Sequence, residues 1–308
     1  MNERKPQAIL IAGATASGKS ALAVEVAKAA GGVVLNADSM QVYRDLQVLS
    51  ARPQPQEMQG IDHYLYGFVG AGDAYSVGRY VSDAALYIDT AHAQGKLPVI
   101  VGGTGLYFRG LLEGLSPVPT IEPEIRRHWR HVAENLGSAQ LYTALKARDA
   151  EMAQQLVPTD SQRLVRALEV IESTGRSLSY WQKIPGKPVL DGARCIKAVV
   201  SLSRETLYER CNRRFEEMLN QGALFEVARL QAMKLDRSLP VMGALGVRPL
   251  IDYLEGECDL AEATLSGQTE TRQYAKRQLT WLRRNMISWK QINLEEMERN
   301  SAISVILG

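Results

Sequence analysis

Cysteine and histidine are scarce in this chain of 308 residues, and its charge is nearly balanced. The three cysteines, Cys195, Cys211 and Cys258, stand far apart without metal-ligand spacing. That excludes a disulfide framework and points to a reducing compartment. The histidines are scattered. His128 and His131 can share a helix face, but Arg127 and Arg130 beside them make a solvated basic face and not a zinc site. No apolar run approaches membrane length. The opening Met1 to Pro6 runs toward an apolar strand and does not read as a signal peptide. A cytoplasmic protein with no membrane partner is expected. A formal net charge of +2 excludes general electrostatic capture of nucleic acid, so any such site must be a local patch. Internal repeats and low-complexity segments are absent.

What is present is concentrated in the first third. "ILIAGATASGKSALA" (9–23) is an apolar strand, then Gly13, four residues, then Gly18-Lys19-Ser20, then a helix over Ala21 to Ala30. This is the complete P-loop pattern. Its amides would face an anion at a helix N-terminus. Gly13, Ala14, Thr15, Ala16, Ser17, Gly18, Lys19 and Ser20 form the grip. Lys19 would reach the terminal phosphates, and the Ser20 hydroxyl would help hold Mg²⁺. The loop reads phosphates and sees little of what carries them.

Further strands are expected at Val33 to Leu35, Leu97 to Val101 and 195–203, separated by helices. That alternation predicts an α/β fold, a P-loop NTPase-like doubly wound parallel sheet. Ligands sit beyond the carboxyl ends of such strands. The strand ends deliver Gly13 to Ser20, Asp38 and Thr104 to one crevice. The proline-rich "SPVPTIEPE" (116–124) and "GKPVLDG" (186–192) bracket a helical stretch. The expected division is a catalytic core, 1–119 with 193–308, and a small helical insertion, 120–192. In the insertion, Ile125, Trp129, Val132 and Leu136 fall at helical spacing. Thr159 and Gln162 read as a capping box for the helix carrying Leu164, Leu168 and Ile171.

Asp38, in "NADSMQVY", has two readings: an acid that organises magnesium, or a general base. "VIVGGTGLYF" (99–108) ends a strand in Gly102-Gly103-Thr104, where a nucleotide hydrolase often carries an acid. It is a plain glycine turn or a place where backbone or ligand comes close beside a neutral hydroxyl. In "TRQYAKRQLTWLRRNMISW" (271–289), Ala275, Leu279, Leu282, Met286 and Trp289 make one apolar stripe. Lys276, Arg277, Thr280, Trp281, Arg283 and Arg284 lie on the other side. That side suits an RNA backbone with a ring for base stacking, or is a solvated face. Arg163 and Arg166 carry the same two readings. Arg210, Arg213 and Arg214 share a helix from which an arginine reaches a diphosphate or decorates the surface.

"GATASGKS", "DSMQVY", "VGGTGLYF", "DSQRLVRALEV", "MGALGVR" and "RQYAKRQLTWLRR" occur in the order typical of tRNA dimethylallyltransferases, the adenosine isopentenyltransferases. The chain resembles that family from about residue 8 to residue 290. The resemblance implies transfer of the dimethylallyl group from dimethylallyl diphosphate to N6 of the adenosine 3′ to the tRNA anticodon. The P-loop would then grip a leaving diphosphate. By the same resemblance, Asp38 orients and deprotonates N6, Thr104 is its partner, and Lys19 and Arg214 act on the diphosphate with Mg²⁺. It also implies tRNA contacts at Ser39, Met40, Gln41, Arg126, Gln162, Arg163, Leu164, Val165 and Arg166. Further contacts are implied at Met242, Gly243, Ala244, Leu245, Gly246, Val247 and Arg248, and at Lys276, Arg277, Gln278, Leu279, Thr280, Trp281, Leu282, Arg283 and Arg284. The insertion would clamp the anticodon stem-loop. A monomer is expected. The chain departs from the family's pattern at Ala14 (usually proline), at His63 (usually one of a histidine pair) and at Val247 (usually tyrosine). Two other readings of the P-loop stay open: an ATP-dependent small-molecule or nucleoside kinase, and an RNA-binding NTPase.

Overall fold

The computed structural model describes residues 6–308; Met1 to Lys5, on which the signal-peptide reading bore, lie outside them. Among the described residues six strands form one parallel sheet: β1 (Ala8–Gly13), β2 (Gly32–Asn36), β3 (His63–Tyr64), β4 (Leu97–Gly102), β5 (Cys195–Ser201) and β6 (Lys290–Asn293). Their order is β3-β2-β4-β1-β5-β6. Alternate residues of each inner strand enter opposite cores. Leu10, Val33, Leu35, Ile100 and Val199 face one, and Ile9, Ile11, Val34, Val99 and Val200 the other. Both faces are therefore covered by helices, which is why these strands read as unbroken apolar runs. The Lys19–Ala30 helix covers one face with Leu22 and Val26. The Val77–Ala93 helix covers the other with Tyr80, Ala84 and Ile88.

Two strands escape the sequence patterns. β3 has two residues and β6 has four, and only Ile292 of β6 is buried. Short edge strands carry too few alternations to show a period.

The glycines of the β4 end have a backbone cause. A Cβ on Gly102 would lie 2.0 Å from the Ala37 carbonyl oxygen and 2.1 Å from its carbon. The close neighbour is thus the chain leading into Asp38, joined to this turn by Ala37 N–H to the Val101 carbonyl and Thr104 N–H to the Ala37 carbonyl. Gly102→Ala should cost about 1–3 kcal/mol, as overpacking does, and should displace Asp38. A lower denaturation midpoint with reduced activity per folded molecule is the expected result.

By its internal contacts the chain divides into two compact units, 1–112 with 189–308, and 113–188. The second is helical: Pro123–Arg148, Ala150–Gln155, Ser161–Thr174 and Leu178–Gln182. Trp129, Leu141, Leu145, Leu164 and Leu168 make its core. The long first helix breaks at Gly137, where φ is 72°. The helical period therefore ends there, and Leu136 is 61% exposed, not buried as its spacing suggests. The cap of the Ser161–Thr174 helix is also displaced. Asp160, not Thr159, accepts from the Arg163 N–H, because the helix starts one turn position later and a carboxylate there serves as well.

Candidate active site

The P-loop leaves β1 at Gly13 and enters the Lys19–Ala30 helix through two left-handed residues, Ala16 (φ 61°) and Gly18 (φ 88°). Gly18 offers no side-chain cap to that helix, so its N-terminus is free to meet an anion. Lys19 is buried, and its Nζ donates to the Ala14 carbonyl at 3.1 Å. Burial pushes the Lys19 amine down to about 8; Asp38 opposes this and Arg214 adds to it. The Ser17 hydroxyl is buried without a partner. Ser20 stands exposed on the first helical turn.

The Arg204–Asn220 helix faces this loop. Arg214 Nη1 lies 3.4 Å from the Thr15 hydroxyl. Its guanidinium is desolvated, which lowers its pKa, while Asp38 works the other way. An arginine nevertheless stays charged. Arg210 approaches Gly18, whereas Arg213 pairs with Glu217 at 3.6 Å. A cleft of about 730 Å³ lies here, lined by Lys19, Ser20, Asp38, Arg52, Arg210 and Arg214 among others.

Asp38 sits just past β2. Its Oδ1 accepts from the Met40 N–H at 2.9 Å, and Asn36 holds its N–H and carbonyl at 2.8 and 2.9 Å. Among the described residues, Asp38 Oδ2 accepts no hydrogen bond. Tyr66, Tyr107 and Tyr274 lie within the reach of its charge. Burial raises all three phenols, and the charge on Asp38 raises them further. Thr104 accepts from the Ser39 N–H at 3.0 Å. Its hydroxyl therefore holds the turn that carries Asp38.

A second cavity, about 310 Å³, adjoins the first. Met40, Leu49, Phe215, Met218 and Leu245 give it apolar walls. The two cavities share Thr15, Asp38, Ser50, Arg214 and Met218. P-loop, carboxylate and apolar space thus meet at one junction.

The expected RNA contacts divide by exposure. Gln162, Arg163, Arg248, Lys276, Arg277, Thr280, Arg283 and Arg284 are exposed. Ser39, Gly243, Ala244 and Arg277 line the apolar cavity. Arg126 and Arg166 are turned by the buried Glu169, at 3.8 and 3.5 Å. Val165 and Met242 are half-buried. Four residues cannot meet RNA as expected, because they are core. Leu164, Val247 and Leu282 are buried, and Gly246 (φ 81°) lies against the Phe215 ring. Leu279 packs beside the buried Ala14 and Ala275. Gln41 spends its amide on the Ser50 and Ala51 carbonyls, both at 3.0 Å.

Two residues of the Leu260–Asn285 helix change role. Gln278 is buried; it accepts from the Thr15 N–H at 2.8 Å and donates to the Gly103 carbonyl at 3.0 Å. It ties the P-loop to the Gly-Gly-Thr turn. The signal was there: Gln278 lies between Ala275 and Leu282 on the apolar stripe, where a polar residue needs a partner. Trp281 is half-buried and its ring covers Gly105, where a Cβ would lie 2.2 Å from it. That ring is committed to the core and is not a free platform for a base.

This fold and site define a class: a P-loop α/β protein whose P-loop cleft adjoins an apolar cavity. Comparison with known proteins agrees. A family model described as IPP transferase matches residues 41–285, and one described as isopentenyl transferase matches residues 6–67. The chain is 50% identical over 285 residues to the tRNA dimethylallyltransferase of Azorhizobium caulinodans, covering 92% of this chain and 91% of that one. It is 46% identical over 302 residues to that of Parvibaculum lavamentivorans, covering 98% and 96%. The tRNA isopentenylpyrophosphate transferase of Bacillus halodurans has a similar structure, with TM-score 0.71, 30% identity, and 98% and 94% of the two chains covered. A eukaryotic dimethylallyltransferase acting on tRNA gives TM-score 0.79 at 28% identity, over 93% and 73%. The chain belongs to the IPP transferase family.

Proposed function

We propose that this protein transfers the dimethylallyl group of dimethylallyl diphosphate to N6 of the adenosine 3′-adjacent to the tRNA anticodon, releasing diphosphate. The observation that carries this reading is the junction. A cationic phosphate cleft opens through Asp38 and Arg214 onto an apolar cavity. An allylic diphosphate has the matching two ends.

An exocyclic aromatic amine is a weak nucleophile, so the donor has to ionise as it is attacked. Lys19, Arg214 and the free helix N-terminus stabilise the charge that develops on the departing oxygen. Asp38 takes the N6 proton through Oδ2 while Met40 holds Oδ1. Thr104 acts by fixing the Asp38 turn. The apolar walls keep water from the allylic carbon. The target base leaves its stack to enter.

Among the described residues no three His, Cys, Asp or Glu side chains form a metal cage. Mg²⁺ needs no such cage, since it keeps waters and binds chiefly through substrate phosphates. Ser20 would hold it, and it would supply further charge neutralisation on the diphosphate. No helix among the described residues is long and apolar enough to cross a membrane. We take the protein to act as a monomer in the cytoplasm, where its RNA is. The helical unit, with Arg126, Arg163 and Arg166, would hold the anticodon stem-loop.

The deciding experiment incubates the protein with Mg²⁺, unmodified tRNA and labelled dimethylallyl diphosphate, beside a tube containing γ-labelled ATP instead. Prenyl label in tRNA and none from ATP is expected. Label from ATP in a product, without prenyl transfer, makes the protein a kinase. The exposed side of the Leu260–Asn285 helix makes a separate prediction. Lys276→Ala combined with Arg283→Ala should weaken tRNA binding and reduce its log–log salt slope by about two, one for each lost phosphate contact. An unchanged slope in a filter-binding titration returns that face to solvent.

A further inference from the structure

The cleft wall formed by Gln47 to Arg52 is fastened by a residue that lines neither cavity. Glu226 stands on the Ala223–Ala232 helix and is 3% exposed. Its Oε2 accepts from the N–H of Gln47 at 2.6 Å and of Val48 at 2.8 Å, and its Oε1 from that of Leu49 at 2.9 Å. A carboxylate is tolerated in a protein interior only when donors meet its oxygens. Here three successive amides do so, and charge-assisted bonds of this kind are the strong ones. The rest of the turn is cross-braced. Arg52 Nε donates to Gln47 Oε1 at 2.6 Å, and Gln47 Nε2 donates to the Arg52 carbonyl at 2.8 Å.

The turn so held is a partition. Gln47 and Val48 line the phosphate cleft, Leu49 lines the apolar cavity, and Ser50 lines both. We propose that Glu226 is a positioning residue for the transfer reaction. Through the amides of Gln47, Val48 and Leu49 it sets the passage between the diphosphate cleft and the apolar cavity, and so the fit of the donor. This rests on the transferase reading above. Glu226 touches no reacting atom, and its effect therefore belongs in donor binding and not in proton transfer.

The test compares Glu226→Gln and Glu226→Asp with the unchanged full-length protein. Glutamine keeps the shape but turns an amide N–H₂ toward a backbone N–H. The KM for dimethylallyl diphosphate should rise about tenfold, because a misplaced 47–49 turn spoils the donor's fit, while tRNA affinity and the pH profile of kcat stay unchanged. Aspartate keeps the charge and should fall between; it carries the comparison alone if the glutamine variant does not fold. A lower active fraction with unchanged donor KM would make Glu226 a folding residue and overturn the proposal. Calorimetry with Mg²⁺ and inorganic diphosphate separates the two readings. If the unchanged protein binds diphosphate but transfers no prenyl group, the transferase reading fails. Diphosphate affinity then decides Glu226: about tenfold weaker in the variants supports its role, and equal affinity ends it.

Discussion

Asp38→Asn should leave tRNA and diphosphate bound while transfer falls steeply. The asparagine side chain keeps an oxygen to accept from Met40, so the turn after β2 survives with its Asn36 bonds. What is lost is a basic oxygen on a residue that lines both cavities. Positioned general bases contribute roughly 10²–10⁴-fold, and kcat should fall by that range. Single-turnover transfer, beside binding isotherms for tRNA and diphosphate, makes the check. Near-normal turnover in the variant removes the general-base role. Lost binding together with lost turnover would make Asp38 an electrostatic counterweight to Lys19 and Arg214 instead, a role its charge also permits.

Lys19→Met is the second large effect, and it has opposite signs for activity and stability. Removing one preorganised charge from the leaving group should cost about 10²–10³-fold in kcat. Stability should rise, because burial depresses the Lys19 amine from 10.5 to about 8. The folded state then binds fewer protons than the unfolded state between pH 8 and 10.5. Stability of the unchanged protein therefore climbs with pH across that window, and the full cost of the buried ammonium is present below it. The methionine variant should unfold at higher denaturant at pH 7, with the gap closing toward pH 10.5. Donor binding follows the same group. Below pH 8 the ammonium is in place; above it, binding must take up a proton and weakens. Calorimetry in two buffers of different ionisation heat should find that uptake at pH 8.5 and little at pH 6.5. A donor affinity that stays flat from pH 7 to pH 9.5 would show that Lys19 does not titrate there.

The parts legible in the sequence are those whose cause is local. Gly13, Gly18, Lys19 and Ser20 read as a phosphate grip because backbone amides at a helix start need that spacing whatever surrounds them. β1, β2, β4 and β5 read as buried strands because both faces are covered. Asp38 and Thr104 were placed together by one rule about strand ends. The edge strands β3 and β6, the break at Gly137 and the Asp160 cap were not legible, since each depends on a few residues in a particular context.

The site's second half depends on partners remote in the chain. Gln278 looks like one polar residue in a basic helix until Thr15 and Gly103 are found at its two ends. Trp281 looks like a free ring until Gly105 is found beneath it. Glu226 has no signature at all, being an acid on an amphipathic helix until the 47–49 turn closes over it. The sequence by itself determined a P-loop on a parallel sheet, because period, glycine spacing and residue chemistry act over a few neighbours. The tertiary structure alone decided which polar side chains line the cleft and which brace the loops around it. Burial and hydrogen-bond satisfaction depend on segments separated by hundreds of residues, and no local pattern records them.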